Sequence, residues 1–342
     1  MTAKGLVALV FAAVLSVVVA VVVSHNSGTN EVDPQTGHQI LPDLAQHLPD
    51  VARVTLVHGA DKTTLVRNQD HWGIEEKSGY PADGAKLHQV LLGLAELQYV
   101  EPKTRKPEFY PRLEVEDPGH KDGKSTLVTV TDGKGTLLGE IIAGKRRLDQ
   151  LGGGSDGVYV RKPGDAQSWL ARGTLDVSGD TISWLDRKTV AIPKENVKKL
   201  VLTQPDGAVL DIERDKPEDK LALTGDNAKA KLKSDNALVE PADTLSNLEL
   251  TDVRAAADMP LPPEGVAHAE ITTFDGLTLK LALTQADGKD WVRIEASGTG
   301  EAEKEASELN TRLGHWVYAI PDYKAKALRT KLADVVEPQK PS

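Results

Sequence analysis

Cysteine is absent from the 342-residue chain. That excludes a disulfide framework, a thiolate metal site, a cysteine nucleophile and a lipid-modified cysteine anchor. Aromatic residues make up only 4%, so the core must be built mainly of Leu, Val and Ile. Carbohydrate platforms and base-stacking surfaces, which need many exposed rings, are disfavoured for the same reason. Basic residues are in deficit, 41 Lys and Arg against 51 Asp and Glu. A nucleic-acid surface needs clustered cations to displace counterions, so no nucleic-acid partner is expected. Broad adhesion to anionic lipid is disfavoured too. Metal-site spacing is also missing. The histidines, His25, His38, His47, His58, His71, His88, His120, His268 and His315, are never three to five residues apart, and no H-E-x-x-H occurs. No metal and no cofactor are expected.

What the chain does have begins at its start. From Gly5 to Val23 there is no charged residue, and Ser16 is the sole polar side chain. As a helix rising about 1.5 Å per residue this stretch would be roughly 28 Å long, close to the apolar thickness of a bilayer. Lys4 precedes it, and Glu31 and Asp33 follow. The charge order predicts a single-pass anchor over residues 1–24 in the inner (cytoplasmic) membrane. The N-terminus would be cytoplasmic and the body periplasmic or extracytoplasmic. The competing reading is a cleaved signal peptide, for which Val22-Val23-Ser24 offers a weak cleavage site.

Residues 25–48 hold Asn, Gly, Asp, Pro, Gln and His without a sustained period and read as a spacer. From Val51 the chain alternates as strands do, turns at Gly59-Ala60-Asp61 and returns through Thr63 to Arg67. His71 to Ile74 reads as a third strand. Asp83 can cap a helix with Leu87, Val90, Leu91, Leu94 and Leu97 on one face. After a Pro- and charge-rich loop come the hairpin about Asp132-Gly133 and the strand Val158–Arg161. The same order then recurs about 146 residues later, from Val197, with hairpin turns at Asp206-Gly207 and Asp275-Gly276 and a shorter helix near Pro241. The fold class expected is α+β, two tandem modules of antiparallel hairpins with packed helices. Their spans are 49–192 and 193–335, followed by a tail over 336–342. One continuous antiparallel sheet is the alternative. A helix is expected from Glu303 to Ile320 and a last one from Tyr323 to Val335.

Gly153-Gly154-Ser155-Asp156-Gly157 matches the G-x-S-x-G pattern of a nucleophile elbow. That mechanism needs a helix after the turn. A strand-like run, Val158-Tyr159-Val160-Arg161, follows instead, so a glycine-rich hairpin tip is the better reading. No phosphate loop is expected either, because no Lys-Ser or Lys-Thr follows the glycines. Abundant Asp and Glu fall in turns or on helix surfaces. No catalytic residue is assigned, and the chain is not expected to be an enzyme.

Several segments carry a resemblance: Val158 to Gly164, Gln167-Ser168-Trp169-Leu170, Trp184 to Arg187, Ile192 to Leu202, Trp316 to Pro321 and Tyr323 to Leu328. With the N-terminal apolar stretch, the chain resembles the bacterial domain-of-unknown-function family DUF4340. The resemblance implies an envelope protein linked to gliding-type ABC transport systems, with an exporter permease or auxiliary protein as partner. It supplies no catalytic residues. Trp169 and Trp184 offer large apolar surfaces where the first module crosses into the second. With Tyr159 and Arg161 they are the candidate junction or interaction residues. The expected function is a membrane-anchored accessory or scaffold that acts by protein binding. A ligand receptor with a pocket between the modules is the alternative, and an envelope hydrolase ranks last.

Overall fold

A computed structural model describes residues 33–69, 71–148 and 156–338. The expected anchor, Ser155 and the glycines before it lie outside the described residues. No helix among the described residues is long and apolar enough to cross a membrane. The architecture is mixed α+β, with antiparallel sheets and few helices.

The first sheet contains β1 (Val51–His58), β2 (Asp61–Asn68), β3 (His71–Ile74), β4 (Tyr80–Pro81), β5 (Gln98–Pro102), β6 (Thr126–Asp132), β7 (Leu137–Arg147), β8 (Gly157–Arg161) and β9 (Ser168–Arg172). β10 (Lys188–Val190) belongs to the linker and pairs with β14 (Leu248–Glu249). The second sheet contains β11 (Val197–Thr203), β12 (Val209–Glu213), β13 (Ala222–Leu223), β15 (Asp252–Ala255), β16 (Ala267–Thr273), β17 (Leu277–Ala286), β18 (Lys289–Gly298) and β19 (Trp316–Ile320).

Strand order in the first sheet is β4-β3-β2-β1-β6-β7-β8-β9-β5, and in the second β13-β12-β11-β16-β17-β18-β19-β15. Leaving β4 aside, one order occurs twice. Even a local irregularity repeats: the β1/β6 register shifts between Val51 and Arg53, and the β11/β16 register between Val197 and Lys199. In both sheets the strand that follows the helical segment, β5 or β15, crosses over to the far edge, beside β9 or β19.

Seven helices are described: α1 (Leu44–His47), α2 (Gly84–Glu96), α3 (Tyr110–Leu113), α4 (Val239–Ala242), α5 (Ala302–Leu313), α6 (Asp322–Leu328) and α7 (Leu332–Val335). Helix α2 begins where Asp83 accepts a hydrogen bond from the Lys86 N–H at 3.0 Å. It buries Leu87, Val90, Leu91 and Leu94. One apolar core runs through both sheets, from Leu56, Leu94 and Val160 past Trp184 to Leu200, Leu281 and Tyr318.

Four expectations are corrected. The stretch read as spacer joins the fold from Gly37 onward. Gly37 N–H donates to the Tyr99 carbonyl (2.7 Å), Tyr99 N–H to His38 (3.0 Å) and Ile40 N–H to Leu97 (2.9 Å), which covers the free edge of β5. Ile40 and Leu44 are fully buried. The helix expected over Glu303–Ile320 ends at Leu313. Gly314 N–H closes onto the Asn310 carbonyl, and Trp316–Ile320 becomes strand β19 between β18 and β15. Because β19 is covered on both faces, its run is apolar throughout and imitates a helical stripe. The last expected helix is likewise split, into α6 and α7. The expected tail starts inside the fold, since Glu337 N–H donates to the Lys231 carbonyl at 2.9 Å.

Candidate functional site

The four residues singled out in the sequence are buried or half-buried and serve the fold. Trp184 is fully buried. Its Nε1–H donates to the Ser178 carbonyl (2.8 Å) and its own carbonyl accepts from Asp83 N–H (2.8 Å). The Lys86 ammonium lies 4.4 Å from its ring, and desolvation holds the Lys86 pKa below the usual lysine value. Trp169 is in β9, away from the junction, with its ring 4.6 Å from that of Tyr99. Arg161, 3% exposed, is a clamp. Its Nε donates to the Val115 carbonyl (2.8 Å), Nη1 to the Asp165 carbonyl (3.0 Å) and Nη2 to Asp117, while the guanidinium sits 4.5 Å over Tyr110. Tyr159 is half-buried and packs with Tyr110, Val115 and Ile142. The structure brings Tyr159 and Arg161 together around Tyr110. Trp169 stands opposite Val160 in the adjacent strand, on the other face of the sheet from Tyr159 and Arg161, in the core that also holds Trp184.

The junction between the sheets is filled. The Tyr80 ring meets Trp316 edge-on (centroids 5.1 Å, planes 85°) and Tyr318 (6.2 Å, 75°). Burial pushes the Tyr80 and Tyr318 hydroxyl pKa values upward, so both stay protonated. Beside them Asp252 accepts from Lys77 Nζ (2.6 Å) of the first sheet's side and Lys289 Nζ (2.7 Å) of the second. Burial pushes the Asp252 carboxyl pKa upward most strongly. The bonds from Lys289, Lys77 and the Val253 N–H together outweigh it and hold the pKa low.

Open space lies instead in a groove of about 960 Å³ beside the first sheet, where the ends of β1, β6 and β7 face residues 175–182. That segment is fixed on several sides. The Thr63 and Thr181 hydroxyls lie 2.7 Å apart, Asp180 accepts from Ile182 N–H (3.0 Å), and Trp184 holds Ser178. Gly179 lies flat on His58; a Cβ there would fall 2.0 Å from the His58 Cβ. Across the groove Gly144 permits a similar approach, since a Cβ would lie 2.3 Å from the Leu113 carbonyl oxygen. Glycine at both positions lets the chain pass this close to its neighbours.

Its walls carry charges of both signs. Glu76 accepts from Thr64 N–H (2.7 Å), and Arg146 stands 3.7 Å from Asp176. The Lys124 and Lys145 ammonium groups and the Asp61 and Glu114 carboxylates have no hydrogen bond or ion pair among the described residues. His58 Nδ1 lies 3.1 Å from both the Ser125 carbonyl and Thr126 Oγ1. A carbonyl only accepts, so Nδ1 carries the proton in this arrangement and cannot take one from Thr126. No group of three or more metal-ligating side chains occurs among the described residues. The arrangement is suited to non-covalent recognition of a ligand with several polar groups. Sequence reasoning did not single out His58, Lys124 or Lys145. They are isolated charged residues in separate segments, and only their convergence marks them.

The family model described as Domain of unknown function (DUF4340) matches residues 72–268. No curated protein and no solved structure matches the chain.

Proposed function

The chain belongs to the DUF4340 family, and from that premise we propose that it is a membrane-anchored accessory protein that binds a partner through the groove beside the first sheet. The observation that carries this reading is the set of charges without a partner among the described residues, Lys124, Lys145, Asp61 and Glu114, on walls fixed by Trp184, Thr63 and Gly179. A fold that leaves ionic groups unpaired along a fixed concave surface has specificity to offer a partner and little ordering entropy to lose. The apolar stretch Gly5–Val23 supports a tether in the inner membrane, with the body on the extracytoplasmic side. Tethering confines the body to a thin layer and raises its effective concentration toward a membrane-embedded partner. An ABC-type transport system is the partner class in keeping with the resemblance described above. Binding by protein contact is favoured over the receptor reading because aromatic rings fill the space between the sheets.

The test is site-specific photocrosslinking in native membranes. A photoreactive residue at Lys124 or Lys145 should give a discrete adduct with a membrane protein, and the same probe at the exposed Lys304 on α5 should not. Adducts that are identical at all three positions, or absent at the groove, would refute the assignment. Deleting residues 1–24 behind a cleavable export signal should leave the fold intact but weaken function markedly. Full complementation by that soluble body at native abundance would remove the tether from the proposal.

A further inference from the structure

A second site, independent of the groove, lies on the other half of the molecule between α4 and α6. It is a pocket of about 600 Å³. Its floor carries Lys324, which is 9% exposed. Lysine is almost never buried without a counter-charge, because the ammonium loses its water. The Lys324 ammonium has three donors. One goes to the Thr244 carbonyl at 2.9 Å, and no ion pair accompanies it among the described residues. The Tyr323 ring, 5.6 Å from Nζ, offers its face but no counter-charge. The remaining donors call for an anion, and Lys194 adds a second cation to the lining.

The rim specifies more than charge. Val239 and Tyr323 are 36% and 63% exposed, unusually open for large apolar side chains in this protein, and both line this pocket with Ala327. Glu240 and Asp243 on α4 and the following turn supply acceptors but repel a purely anionic ligand. One ligand class satisfies every part. A carboxylate would meet Lys324, an apolar side chain would lie against Val239, Ala327 and Tyr323, and backbone N–H groups would face Glu240 and Asp243. We propose that this pocket captures the C-terminus of a peptide or protein chain whose last residue is apolar. Terminal carboxylate capture is a recurrent mode of peptide recognition. The buried lysine supplies the charge-assisted bond that tells a free terminus from chain interior.

The probe is a fluorescein-labelled hexapeptide ending in leucine, made as the free acid and as the carboxamide. Binding to the full chain in detergent is followed by fluorescence anisotropy. The free acid should bind at least about tenfold more tightly than the amide, the usual worth of a hydrogen bond to a charged group. Lys324→Met, which keeps the apolar stem, should erase that difference. Tyr323→Ala and Val239→Asp alter exposed positions and should weaken both peptides several-fold with unchanged circular dichroism melting. They keep the test valid if the lysine variant misfolds. Equal binding of acid and amide, or no binding by either at millimolar concentration, would overturn the proposal. Competition by acetate at the same concentration as the peptide would also overturn it, since the pocket would then be an unselective anion site.

Discussion

Trp184 ties the core to the groove, and its replacement separates the two contributions. The ring is fully buried and makes one hydrogen bond, to the Ser178 carbonyl. Trp184→Ala should cost about 3–5 kcal/mol, the range for removing a large aromatic from a packed interior. The Lys86 ammonium also loses the ring face it sits over at 4.4 Å. Trp184→Phe retains most of the apolar volume but leaves the Ser178 carbonyl without its donor, which should cost about 1–3 kcal/mol. Urea titration of the detergent-solubilised chain, followed by far-ultraviolet circular dichroism because the variants lose a fluorophore, measures both. Hydrogen exchange should show a second effect in Trp184→Phe: faster exchange over residues 175–182 with α2 still protected, because that segment loses one of its anchors. A cost below about 1 kcal/mol for the alanine variant would mean the ring is not the packing element its burial implies. Unchanged exchange over 175–182 in the phenylalanine variant would refute the role given to the Nε1–H bond.

Asp252 predicts a pH dependence with a definite sign. Its folded pKa is below the ordinary 3.8, so its contribution is fully present above that value and is lost as pH falls through the folded pKa. Asp252→Asn should therefore cost about 1–3 kcal/mol at pH 7, and the difference between wild type and variant should shrink steadily as pH falls below 3.8. A constant difference across that range would show that the carboxylate charge is not what joins the sheets. Gly179→Ala should destabilise by about 1–3 kcal/mol and reduce crosslinking at Lys145, since the new methyl displaces His58 or lifts the groove wall. Wild-type melting and crosslinking would disprove the close packing. Arg161→Met should release residues 103–125 to protease while the second sheet stays protected, and Arg161→Lys should not rescue it, because one ammonium cannot serve Val115, Asp165 and Asp117 together. Rescue by lysine would reduce the clamp to a simple charge.

Much of the fold was legible from local chemistry. The hairpins at Asp132-Gly133 and Asp275-Gly276 stand where turn residues interrupt alternating apolar runs, and the registers β6/β7 and β16/β17 follow. Helix α2 begins at Asp83 as its capping side chain and apolar spacing require. The recurrence from Val51 to Val197 was readable too, because each half needs the same pattern of buried positions. Legibility failed where one pattern served two structures. Leu309, Leu313, Trp316, Val317 and Ile320 fit a helical stripe, yet the last three belong to a strand covered on both faces. Polar residues 37–48 gave no period, although Ile40 and Leu44 are core.

Sequence by itself determined the composition of the core, the order of the hairpins, the doubling of that order and the apolar stretch at the start, since each depends on neighbours within a few residues. Tertiary structure alone decided where β5 and β15 return, what Arg161 clamps, and that His58, Lys124 and Lys145 share one groove while buried Lys324 has one hydrogen-bond acceptor among the described residues. The physical reason is the range of the interactions. Periodicity and capping act along a turn or two of chain. A groove wall or a buried charge is defined by backbones dozens of residues apart, and its chemistry exists only once the core has brought them together.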